Sequence, residues 1–94
     1  MLRRGELDLQ LQQIETFVSQ YENVNVTPGT MSVDAAIHAI SNADGIRTRL
    51  QYKYYEAQAT NTECGRRLCA RIEAAYAKYT TLISNLQKNI HHQH

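Results

Sequence analysis

The sequence predicts an all-α protein: an elongated three-helix bundle, built on an antiparallel helical hairpin with coiled-coil-like packing. Three observations point there. One proline and four glycines in 94 residues is about half the usual content of roughly 12% for the two types together, so turns are scarce. Ten alanines, eight leucines and eight glutamines are residues that lose little freedom in a helix. Finally, apolar residues recur at spacings of three and four along most of the chain, the period of a helix with one buried face. An apolar fraction of 43%, a charged fraction of 20% and a net charge of +1 belong to a chain that folds rather than to a disordered one. At 10.8 kDa it is a single helical domain, residues 1–94, because one core typically occupies roughly 100–150 residues.

The first helix is expected over about residues 5–23. Leu7, Leu11, Ile14, Val18 and Tyr21 form a seam with alternating steps of four and three, as in two coiled-coil heptads. Val24 and Val26 are β-branched, Asn23 and Asn25 compete for backbone hydrogen bonds, and Pro28-Gly29 cannot continue a helix.

The second helix is expected over about residues 32–58. Ser32 is a favourable N-cap, Asp34 complements the dipole of the first turn, and Met31 is placed to staple against Ala36. Val33, Ala36, Ile37, Ile40, Ala43, Ile46, Leu50, Tyr54 and Ala57 make its apolar face. Gly45, in a stretch of weak helix formers, costs up to about 1 kcal/mol against alanine and marks where this helix would kink or break. The turn is expected near 59–62, with Thr60 and Glu63 forming a capping box.

The third helix, over about residues 61–90, carries two interlocking seams through Leu68, Cys69, Ile72, Ala75, Tyr76, Tyr79, Leu82, Ile83, Leu86 and Ile90. A face that wide touches two neighbours, so this helix is expected at the centre, packed on the other two. Residues 1–30 carry two basic and four acidic side chains, whereas 61–94 carry five basic and two acidic ones, so the first and third helices attract each other. A helix of about 29 residues is roughly 44 Å long, longer than the roughly 32 Å diameter of a compact domain of this size. Apolar seams that the shorter first helix leaves bare are expected to be covered by a second copy of the chain or by another protein.

The N-terminal Met1-Leu2-Arg3-Arg4 runs into Glu6 and Asp8 where an export signal needs an apolar run, and no stretch approaches the roughly 18 apolar residues of a membrane span. A cytoplasmic protein without a membrane partner is therefore expected. Cys64 and Cys69 lie about 140° apart around a helix, which disfavours a bridge between them and suits a reducing compartment.

No motif identifies a catalytic residue, a cofactor or a metal site. The spacing of Cys64 and Cys69 is neither that of a zinc pair nor that of a redox pair. Cys64 lies near basic residues that would lower its pKa, but no histidine base shares its segment. His91, His92 and His94 form a His-rich tail, residues 91–94, without the fixed four-ligand geometry of a structural metal, and His38 stands alone. Arg47, Arg49, Lys53, Arg66, Arg67 and Arg71 interleave with tyrosines in a pattern that can bind phosphates and stack bases. A pI near 7.8 is well below the value above about 9 typical of such domains, and no recognition motif is present. A small helical enzyme of chorismate-mutase-like architecture is a further alternative, but its arginine, lysine and glutamate spacing finds no match in these helices.

Six of the seven aromatic residues are tyrosines, the residue that joins large contact area to a hydroxyl tolerant of a wet rim. Tyr54, Tyr76 and Tyr79 follow the core stripes, whereas Tyr52 and Tyr55 lie off the main stripe. Tyr52, Tyr55, Arg66 and Arg67 are the residues expected to bind a partner. The resulting expectation is a non-catalytic protein interaction module, a small chaperone, adaptor or assembly subunit, with a protein or a second copy of itself as partner.

Overall fold

The computed structural model describes residues 4–92, and side chains over 5–91. The fold is the expected all-α three-helix bundle, with α1 at Arg4–Tyr21, α2 at Val33–Ala59 and α3 at Glu63–His92. It is a rod of 55 × 18 × 16 Å with a radius of gyration of 15.9 Å, against about 12 Å for a compact domain of this length. Helix α2 packs along α3 as an antiparallel hairpin, the main interface of the fold, and α1 packs more lightly on both.

The core is the set of residues the helical period selects. Leu11, Ile14 and Val18 of α1, Ala36, Ala43, Ile46, Leu50 and Ala57 of α2, and Leu68, Ile72, Ala75, Tyr79, Ile83 and Leu86 of α3 are buried. A fully buried aliphatic side chain contributes roughly 1.5–3 kcal/mol, so Ile14, Leu50, Ile72 and Leu86 carry much of the stability. Two stripe residues depart from the pattern: Ile37 is 52% exposed and Tyr76 37% exposed. Ile37 lies on α2 where only two helices run together, and Tyr76 falls on the flank of α3 turned away from α1.

Ser32 caps α2, its hydroxyl accepting from the Ala35 amide at 3.2 Å. Gly45 does not break the helix: α2 is continuous over 27 residues, and the glycine is exposed, so its cost is offset by packing on either side at Ala43 and Ile46. The expected Thr60–Glu63 capping box is not formed. Asn61 takes a left-handed conformation with φ of 51°, the usual exit from a helix, and this shifts the α3 N-cap to Thr62, whose hydroxyl accepts from the Gly65 amide at 2.9 Å. Thr60 instead donates to the Ala57 carbonyl at 2.7 Å. Gly65 is required here, because a Cβ at that position would meet the Ala57 carbonyl oxygen at 2.4 Å. Helix α3 continues through His91 to His92, so half of the expected His-rich tail is helix. Gln93 and His94 lie outside the described residues.

Helix α1 runs parallel to α3, and the chain after it continues in the same direction along α3. The Tyr79 hydroxyl donates to the Tyr21 carbonyl at 2.7 Å, Lys78 to the Glu22 carbonyl at 3.4 Å, Asn85 to the Val26 carbonyl at 2.7 Å and Asn89 to the Gly29 carbonyl at 3.1 Å. These donors satisfy backbone carbonyls that no helix or sheet would satisfy. They strap an extended linker onto the half of the hairpin that α1 is too short to reach.

Candidate interaction surface

The seam between α2 and α3 has two flanks, and α1 closes one of them. Arg71 of α3 forms a salt bridge to Glu15 of α1 and a second at 2.7 Å to Glu22, just past the end of that helix, with Ser19 accepting a further bond at 3.3 Å. The Arg71 hydrogen bond holds the Glu22 carboxyl below the usual carboxylate range. On α2, Lys53 sits over the Phe17 ring at 5.7 Å and pairs with Glu56 at 3.4 Å.

The opposite flank is open. Tyr76 lies about 140° and Glu73 about 160° around α3 from Arg71, and Gln51 and Tyr55 lie about 160° around α2 from Lys53. With Tyr54 and Ile72 these residues line a groove of about 250 Å³. Tyr54 and Tyr55 meet edge to face with centroids 5.8 Å apart, and Gln51 donates to the Tyr55 hydroxyl at 3.4 Å. The Glu73 carboxylate raises the Tyr54 phenol above its ordinary pKa. Arg47 sits 5.6 Å from the centre of the Tyr76 ring, held there by Asp44 at 2.8 Å and by Thr80 at 3.3 Å.

The four residues expected to bind a partner do not form one patch. Tyr55 lines the groove at 55% exposure. Tyr52 is 65% exposed but turns about 60° further round α2, outside the groove lining. Arg66 is exposed and, seven positions before Glu73, shares its face of α3 to within about 20°. Arg67 points about 100° away from Arg66 and pairs with Glu63 at 2.8 Å. Of the groove residues, sequence reasoning named Tyr55 alone as a site residue and missed Gln51, Tyr54, Ile72, Glu73 and Tyr76. The signal available for Glu73 was the opposite charge of Arg66 two turns earlier on one helix face.

The basic residues are largely occupied within the chain. Arg47, Lys53, Arg67 and Arg71 all pair with carboxylates, and among the described residues Arg49 and Arg66 make no ion pair. Cys64 is exposed and Cys69 half-buried, both as free thiols. The Cys69 thiol lies 3.6 Å from the Tyr54 carbonyl, and burial raises its pKa. Among the described residues no group of three or more histidine, cysteine, aspartate or glutamate side chains is placed to hold a metal ion, and no helix is long and apolar enough to cross a membrane.

The fold and its open flank define an all-helical bundle with a tyrosine-lined groove. No family model, no curated protein and no solved structure matches the chain significantly.

Proposed function

We propose that this chain is a non-catalytic helical interaction module whose docking surface is the open flank of the α2–α3 hairpin. The observation that carries the reading is the groove itself, where Tyr54, Tyr55 and Tyr76 gather beside the carboxylate of Glu73. Tyrosine is enriched where proteins meet because it brings contact area, few rotatable bonds and a hydroxyl that accepts water or a partner. An open groove between two helices fits a helix or an extended side chain from a partner. An adaptor, a small chaperone or an assembly subunit would use such a surface.

The experiment is site-specific photocrosslinking in the native cell, with benzoylphenylalanine placed in turn at Tyr55 on the groove and at Asn42 on exposed α2 surface away from it. The expected result is a discrete protein adduct from Tyr55 and none from Asn42. Equal labelling at both positions, or none at either, overturns the proposal.

A further inference from the structure

Resting on the reading of the open flank as a docking surface, we infer that two copies of this chain pair antiparallel through it. The guanidinium of Arg66 from each protomer enters the groove of the other between Tyr76 and Glu73. Three observations support the pairing.

The first is charge. Glu73 lines the groove, and neither it nor Arg66 makes an ion pair among the described residues. They stand on one face of α3 about 10.5 Å apart, too far to pair within one helix. A two-fold axis crossing α3 between Cys69 and Ala70 sets Arg66 of each copy opposite Glu73 of the other. One asymmetric stripe, basic at one end and acidic at the other, becomes self-complementary when reversed, as an isologous interface requires.

The second is what lies on that axis. The contact of the Cys69 thiol with the Tyr54 carbonyl places Tyr54 and Tyr55 level with the axis on α2. Tyr55, 55% exposed, therefore meets its own counterpart at the centre of the interface, with the Arg66–Glu73 contacts on either side. Tyr76 supplies the face on which an entering guanidinium stacks, and the chain already uses this ring for Arg47.

The third is area. The protein exposes 6390 Å², about 850 Å² more than a compact monomer of its mass. A stable interface takes about 800 Å² from each partner, so the rod has that much surface to cover with a copy of itself.

The test uses the full chain and its charge-reversal variants Arg66→Glu and Glu73→Arg, with absolute mass measured across a concentration series. The wild-type chain is expected to be a dimer. Each variant alone sets like charges opposite each other twice and should weaken the dimer at least tenfold. An equimolar mixture of the two variants sets opposite charges at both contacts and should return to within about threefold of the wild-type affinity. Both sites are exposed, and thermal melting of each variant verifies that its fold is retained. A wild-type chain that stays monomeric up to about 1 mM, a dimer that neither variant weakens, or a mixture no tighter than its parts overturns the pairing. The outcome is separable from the broader reading: a crosslink from Tyr55 to a different protein, from a chain that is monomeric, keeps the docking surface and removes the self-pairing.

Discussion

The two flanks of the α2–α3 seam use the same kinds of side chain to different ends. On the α1 side, arginine meets glutamate and lysine covers an aromatic ring, all within one chain: Arg71 with Glu15 and Glu22, Lys53 over Phe17. On the other side Glu73 and Arg66 stand apart on one helix, and Tyr55 faces solvent at 55% exposure. The difference comes from the number of helices: a hairpin has two flanks, and the one further helix, α1, packs on one of them alongside α3 from Arg71 to Tyr79. The residue types on the two flanks are alike; on the α1 side the ion pairs join two parts of the chain, whereas on the open side the one ion pair among the described residues, Arg47 with Asp44, stays within α2.

The largest effect is expected at the seam both flanks share. Ile72 is 1% exposed and lies in the hairpin core, and Ile72→Ala should cost about 2–5 kcal/mol by chemical denaturation. A loss below about 1 kcal/mol would mean that the site collapses around the deletion and that the hairpin is not the stable half of the fold.

The closed flank should respond less. Arg71→Ala removes bonds from Glu15, Ser19 and Glu22, but the Arg71 side chain is 35% exposed and solvent screens its charge, so a loss of about 1–2 kcal/mol is expected. The same pair sets a pH dependence. Glu22 is held below its ordinary pKa by Arg71, so its contribution is fully present above the unfolded carboxylate value of about 4.3 and is lost as pH falls through the lower folded value. The denaturation midpoint of the wild-type chain should therefore fall on acidification below about pH 4.5, and in Arg71→Ala the slope attributable to Glu22 should disappear. Identical acid slopes in the two proteins would show that α1 is held by packing alone.

The open flank should barely register in stability. Tyr55→Ala is expected to change unfolding free energy by no more than about 0.5 kcal/mol while weakening whatever association the groove supports. A loss as large as that of Ile72→Ala would place Tyr55 in the core and remove the contrast between the flanks.

Much of this architecture was legible in the residues. The steps of three and four through Ile14, Val18, Ile72 and Leu86 depend only on 3.6 residues per turn, and Ser32 caps its helix by a bond local to four residues. The acidic first helix and basic third one pointed to attraction between them, which Arg71 realises. Other features depended on which element lies beside which. Ile37 follows the stripe of α2 but is exposed, because periodicity assigns a face without saying what covers it. The cap shifted from Thr60 to Thr62 once Asn61 turned left-handed and Gly65 allowed the close approach of Ala57. Nothing in the sequence singles out Asn85 and Asn89, whose side chains bond the linker carbonyls of Val26 and Gly29.

The sequence by itself determined three helices, their boundaries to within about two residues and the stripes from which the buried side chains are drawn, because these rest on local propensity and period. Only the tertiary structure decided that α1 runs parallel to α3, that the linker continues along α3, and that one flank of the seam stays open. Those choices follow from long-range pairing, in which a short helix and a strapped linker compete for the same faces of one hairpin, and no local pattern in the chain records the result.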